Sequence, residues 1–251
     1  MRRHLHKGNK RFYSSLILHY DMLKHQKDYI DGDERMSIMY YVKHAYQNKR
    51  YASVYEKTRF EGIYGRTKNW NTKRVISKLV RLTGRKGFAL DIPCGTGRLS
   101  HLIVKSGYQW IGADISLEMM MESRKKMMNG MGGSSWWNIR LDAEMMPFKD
   151  DSLDCIFSIR FIYHIPVEIR YRMLKEMRRV TKKWMIIDYN YPNKFKELGR
   201  RIGSLFGERS IKKRITFPEI SKELRVNGLN IYKAIPVSRL FSDNIILLCN
   251  K

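Results

Sequence analysis

From residue 88 onward, short apolar runs alternate with longer amphipathic stretches, and this alternation constrains the fold more than any other feature of the chain. The runs are "FALDI" (88–92), "QWIGADI" (109–115), the strand carried by "WWNIRLDA" (136–143), "SLDCIFSI" (152–159) and "WMIIDY" (184–189). Each has the length of a buried strand. "NTKRVISKLVRLT" precedes the first run with helical spacing. "GRLSHLIVKSG" separates the first two runs and stops at Gly107. "SLEMMMESRKKMM" follows the second, with Ser116 placed to cap it, and "VEIRYRMLKEMRRVT" precedes the fifth. Strand–helix alternation of this kind predicts a parallel sheet with helices on both faces. The end of the chain differs. "FPEISKELRVNG" has Pro218 near its start and Gly228 just past its end, which marks a helix. Two strands follow at about 229–237 and 241–249, joined by too short a link for a crossover. The expectation is an α/β sheet of seven strands with the last strand antiparallel.

Residues 1–50 read as a basic helical N-terminal extension, and 51–251 as the main domain. Phe12, Leu16, Tyr20 and Leu23 recur at spacings of three and four, Gly32 interrupts, and "MSIMYYVKHAYQ" forms a second helical stretch. "LIL" at 16–18 runs straight into His19, Tyr20 and Asp21, so no apolar core of a secretory signal is present, and the expected location is the cytoplasm. Cys94, Cys155 and Cys249 are too few and too dispersed for a disulfide framework or a metal site, and no bound metal is expected. The formal charge is +25, from 49 Lys and Arg against 24 Asp and Glu. Such a field attracts polyanions, either RNA or an anionic membrane surface.

The seam between the first strand and the next helix carries the chemistry. In "ALDIPCGTGRLS" an acid, Asp91, ends the apolar run, and Gly95 and Gly97 let the backbone turn and approach a ligand closely. A phosphate loop would need Lys-Ser or Lys-Thr after the second glycine, and none follows Gly97. A dinucleotide pyrophosphate would be repelled by Asp91. A cationic, phosphate-free nucleoside cofactor would be attracted, and S-adenosylmethionine has that chemistry. Asp114 ends the second strand, where an acid can accept both ribose hydroxyls. Asp142 and Ala143 end the third, where a carboxylate and a backbone N–H can meet adenine.

"LDIPCGTGRLS", "GADIS", "DAEMMPFKDDSLDCIFS" and "LKEMRRVTKKWMIIDY" resemble the successive motifs of the class I S-adenosylmethionine-dependent methyltransferases, and within them the type 11 or quinone-biosynthesis-like subgroup. The resemblance covers roughly residues 51–251 and implies a Rossmann-like sheet. It implies that Asp91, Gly95 and Gly97 hold the methionine end of the cofactor, Asp114 and Ile115 the ribose, and Asp142 and Ala143 the adenine. Phe157 and Ser158 would lie beside the cofactor, and Tyr55 and Arg59 in "YEKTRF" would cap it. Residues 1–50 have no counterpart in the resemblance.

The acceptor belongs beyond the fourth strand, in "SIRFIYHIP". Arg160, Tyr163 and His164 are the candidates to bind or deprotonate it, His164 because its ordinary pKa lies near neutrality. The [DNS]-P-P-[YFW] signature of amino-methylating nucleic-acid enzymes is absent; Ser158-Ile159-Arg160-Phe161 stands in its place. A small-molecule or lipid-like methyl acceptor is therefore the primary expectation. An rRNA or tRNA acceptor is the alternative, and a non-catalytic cofactor-binding protein ranks below both. "KFKELGRRIGSLF" (194–206) places Phe195, Leu198, Ile202 and Leu205 on one helix face among Lys and Arg, as in helices that lie on membranes. Met119 to Met146 and Trp136-Trp137 read as core before they read as a pocket lining.

Overall fold

The structure is a computed structural model that describes residues 62–84, 86–130, 136–193, 215–238 and 242–251. The N-terminal extension, Tyr55, Arg59 and the 194–206 segment lie outside the described residues. In chain order the elements are α1 (Gly62–Val80), β1 (Phe88–Asp91), α2 (Ser100–Lys105), β2 (Gln109–Asp114), α3 (Leu117–Gly130), β3 (Trp136–Arg140), β4 (Leu153–Ser158), a 3₁₀ turn (Ile162–His164), α4 (Val167–Val180), β5 (Thr181–Asn190), α5 (Phe217–Val226), β6 (Asn230–Pro236) and β7 (Asn244–Asn250). The seven strands form one sheet in the order β3-β2-β1-β4-β5-β7-β6. β1 pairs in parallel with β2 and β4, β2 with β3, and β4 with β5. β7 runs antiparallel to both its neighbours, β5 and β6. The expected seven strands and the antiparallel last strand are both present. Only seven residues separate Pro236 from Asn244, so β7 has to double back beside β6.

Local signals account for most of the boundaries. Ser116 Oγ accepts the Met119 N–H at 3.2 Å and starts α3. Thr216 and Glu219 form a reciprocal capping box at the start of α5, where Pro218 needs no N–H partner. Two boundaries differ from the expectation. α1 begins at Gly62, well before "NTKRVISKLVRLT", because its apolar face is confined to its last turns, at Thr72, Val75, Ile76, Leu79 and Val80. β5 begins at Thr181 and not at Trp184: exposed Lys182 and Lys183 hide the strand start in the sequence, but the backbone is already paired with Leu153.

One face of the sheet carries Ala89, Trp110, Cys155, Phe157, Ile186, Ile246 and Leu248, packed against Ile76, Leu79, Ile103 and Met127 from α1, α2 and α3. The alternate strand residues, among them Leu90, Ile156, Met185 and Ile187, are equally buried and face the α4 and α5 side. Met119, Met120 and Met127 are core, as is the half-buried Trp136, whereas Trp137 is exposed. The strand order reverses at β1: the chain moves outward through β2 to β3, then returns to place β4 on the other side of β1. The carboxyl ends of β1 and β4 therefore form the switch point, where α/β sheets bind ligands.

Candidate functional site

Asp91 is the last residue of β1 and stands at that switch point, paired with Gly112 of β2 and Phe157 of β4. Its side chain is 2% exposed. Trp110 Nε1 points at Asp91 Oδ2 from 3.4 Å. The indole reaches the carboxylate by lying across Gly112, where a Cβ would sit 2.2 Å from the ring. Burial pushes the Asp91 carboxyl up to about 7; the Trp110 contact and the charge of Arg98 oppose the rise, and Asp114 adds to it.

The loop that follows is stitched to the neighbouring strands. Ile92 N–H donates to the Phe157 carbonyl at 2.9 Å and Cys94 N–H to the Ala113 carbonyl at 2.7 Å. Gly95 and Gly97 have φ of 54° and 70°. A Cβ on Gly95 would meet nothing within 4 Å, whereas one on Gly97 would lie 2.6 Å from Ser123 Oγ. Gly95 thus borders open space, and Gly97 lets the loop close down on α3. Gly95 N–H donates to Asp114 Oδ2 at 2.9 Å and Ser116 N–H to Asp114 Oδ1 at 2.9 Å. Burial pushes Asp114 up to about 6, against the hydrogen bonds from Ser116, Gly95 and Ile115 that favour its charged form. Burial, and after it the charges of Asp114 and Asp91, push the Cys94 thiol well above its ordinary value, which favours the neutral thiol.

Asp142 and Ala143 follow β3. Leu141 N–H donates to the Asp114 carbonyl at 3.2 Å, which brings this turn against the end of β2. Asp142 Oδ1 accepts Glu144 N–H at 3.1 Å, and Ala143 is buried. The stretch after it is fastened to α4. Arg179 donates to the carbonyls of Met146 and Phe148 at 3.0 and 2.9 Å, and Glu176 accepts Met146 N–H at 3.0 Å. Phe157 turns its ring into the core, edge-on to Tyr108 at 6.0 Å, so only its backbone joins the seam. Ser158 is fully buried, and its hydroxyl has no hydrogen-bond partner among the described residues.

The structure therefore brings Asp91, Gly95, Gly97, Asp114, Asp142 and Ala143 to one edge of the sheet, with half-buried Ile115 next to Asp114. Arg160, Tyr163 and His164 occupy the connection just after β4. Arg160 has φ 64°, and its N–H donates to Asp188 Oδ1 at 2.5 Å. The Tyr163 and His164 ring centroids lie 4.4 Å apart in the 3₁₀ turn, with the ring planes tilted by 50°, and both residues are half-buried.

Two residues that the sequence reading passed over belong to this edge. Asp188, near the end of β5, is 2% exposed and pushed up to about 6 by burial, with Arg160, Arg98 and Lys68 drawing it back. Asn244 Nδ2 donates to its other oxygen at 3.4 Å. Arg98 acts on both Asp91 and Asp188 and donates to Asn69 Oδ1 of α1 at 2.7 Å. The sequence does carry a signal for Asp188, an acid late in an apolar strand, the same mark that singled out Asp91 and Asp114.

Residues 89–184 match a protein family described as "Methyltransferase domain". A malonyl-[acyl-carrier protein] O-methyltransferase of Hamiltonella defensa is 27% identical over 157 residues, covering 60% of this chain and 57% of that protein. A ubiquinone/menaquinone biosynthesis C-methyltransferase of Hahella chejuensis is 32% identical over 110 residues, 41% of this chain and 43% of that protein. The chain thus spans about half the length of the curated relatives it matches. Magnesium protoporphyrin IX methyltransferase of Synechocystis PCC 6803, solved with bound SAH, shares the fold at a TM-score of 0.69 and 18% identity, over 85% of this chain and 99% of that one.

Proposed function

We propose that the chain, whose residues 89–184 match a methyltransferase domain, is a class I S-adenosylmethionine-dependent methyltransferase and transfers the methyl group of S-adenosylmethionine to a small-molecule or lipid-like acceptor. The observation that carries this reading is the pairing of two buried carboxylates, Asp91 and Asp114, around a glycine loop whose Gly95 N–H already engages one of them. An anionic dinucleotide would meet repulsion there; an ammonium and two ribose hydroxyls would meet acceptors. The open space over Gly95 leaves room for the ligand.

When bound, the cofactor supplies a methyl group activated by its sulfonium. The residues of the chain do the rest. Asp91 and the backbone of Gly95 and Gly97 hold the methionine end. Asp114 accepts from the ribose, and Asp142 with the N–H of Ala143 meets the adenine, as the firm attachment of the following stretch to α4 supports. Ile115 and the backbone at Phe157 and Ser158 line the cofactor. Arg160, Tyr163 and His164 face the acceptor, and His164 takes its proton where the acceptor has one to lose. Alignment of acceptor and donor does most of the work in a displacement of this type.

Isothermal titration is expected to show binding of S-adenosylmethionine or its demethylated product and none of NAD, and labelled methyl transfer to a lipid or small-molecule fraction is expected. Transfer to RNA alone, or no transfer to any cell fraction, sinks the choice of acceptor or of catalysis respectively. His164→Ala is expected to lower the turnover number by ~10²–10⁴ while cofactor affinity stays. Unchanged turnover removes His164 from the chemistry.

The affinity has a pH signature. The Asp91 carboxyl is held up, near 7, so its protonated form is present in the free protein below that pH. The contribution of this group to the stability of the free fold is present at low pH and is lost as pH rises toward 7. A cationic ligand selects the ionised form. Affinity should rise about tenfold per pH unit between 5 and 7 and level off above, with proton release on binding below 7. A flat profile, or one that Asp91→Asn leaves unchanged, shows that Asp91 does not meet the charge.

A further inference from the structure

Most of α1 is amphipathic in the ordinary way, with Thr72, Val75, Ile76, Leu79 and Val80 against the sheet. Its other side is not an ordinary solvated face. Ile63 is 86% exposed, Trp70 61% and Tyr64 57%. Ile63 and Trp70 are two turns apart and share one stripe. Arg66, Arg74 and Lys78 flank that stripe and are exposed, and the helix contains no Asp or Glu. The Arg74 guanidinium sits over the Trp70 ring, 5.4 Å from its centroid. Single exposed apolar residues are common on protein surfaces. Three large ones along an acid-free basic helix, in a chain of net charge +25, are a composition suited to one kind of surface.

We propose that this outward face of α1 docks the protein on an anionic lipid bilayer. Ile63 and Trp70 enter the boundary between headgroups and acyl chains, and Arg66, Arg74 and Lys78 meet lipid phosphates. Charge complementarity supports the anionic partner, since each basic residue near such a surface strengthens the contact about fivefold. Ile63 decides between lipid and RNA. RNA offers phosphates to the cations and bases to Trp70, but it offers an exposed aliphatic side chain no hydrocarbon. Among the described residues no helix is long and apolar enough to cross a membrane, so the contact lies in the membrane plane. The N-terminal half of α1 also borders the candidate site, through Asn69 to Arg98 and through Lys68 to Asp188. Docking would turn the site toward the lipid. That consequence, and only that one, rests on the methyl-transfer reading.

The test is flotation of the full chain, without cofactor, on phosphatidylcholine vesicles and on vesicles containing about one third phosphatidylglycerol. Flotation with the anionic vesicles alone is expected. Ile63→Ser/Trp70→Ser and Arg66→Glu/Arg74→Glu should each weaken it about tenfold or more. Both variants should retain the calorimetric signal of S-adenosylmethionine, which shows that the fold is intact. Flotation of the Ile63→Ser/Trp70→Ser variant at the wild-type level overturns the proposal. So does a wild-type protein that ignores anionic vesicles and binds single-stranded RNA through the same residues. Failure of the methyl-transfer reading would appear instead as a missing cofactor signal in the wild type, with flotation unaffected.

Discussion

Asp114→Ala is expected to bind S-adenosylmethionine ~10²–10⁴-fold more weakly than the wild type. In the proposed complex the carboxylate accepts two ribose hydroxyls, and a hydrogen bond to a charged acceptor contributes roughly 1.5–3 kcal/mol. The same side chain accepts the N–H groups of Gly95 and Ser116, both at 2.9 Å, so its loss also frees the glycine loop from the end of β2. Asp114→Asn keeps the shape and one acceptor oxygen and should fall between the two. Titration calorimetry on all three proteins measures the effect, and circular dichroism checks the fold. An Asp114→Ala protein with wild-type affinity would remove Asp114 from the cofactor site, and with it the strongest link between this sheet edge and a nucleoside.

The largest stability effect should come from the opposite side of the sheet. Arg170 of α4 makes a two-pronged ion pair with Glu223 of α5, Nε to Oε1 at 2.8 Å and Nη2 to Oε2 at 2.5 Å. Tyr189 Oη of β5 donates to the same Oε1 at 2.7 Å, and Arg170 Nη1 reaches the Ile165 carbonyl at 3.3 Å. The two charged side chains are only 10% and 6% exposed. Removing one of them leaves the other buried without its partner, which costs about 3–5 kcal/mol. Glu223→Ala and Arg170→Ala should each lower the melting temperature by on the order of 10 °C. Replacing both by apolar residues of similar volume, as in Arg170→Met/Glu223→Leu, should recover most of the loss. Additive losses in that double variant would mean that the two side chains act separately. The Ile165 contact ties this network to the turn that carries Tyr163 and His164, so the single variants should also disturb turnover more than cofactor affinity.

The pattern along the chain determined the elements themselves. Strands at 88–92, 109–115 and 152–159, the cap at Ser116, the box at Thr216 and the turn-back before β7 all follow from local periods and local hydrogen bonding. Asp91, Gly95, Gly97 and Asp114 were legible because this seam breaks the local rules openly, with an acid in an apolar run and glycines at a helix start. Only the tertiary structure decided what cannot be encoded locally. It set β4 beside β1 and so made the switch point. It laid the Trp110 indole over Gly112 toward Asp91, and turned the Phe157 ring away from the seam. It brought Arg98 and Asp188 to the same edge, and joined Arg170 to Glu223 across 53 positions. The physical reason is one of range. Helix and strand periods act over a few residues, whereas the burial that holds Asp91 near 7 and the pairing that makes Glu223 tolerable in a core depend on residues that meet only when the sheet is assembled.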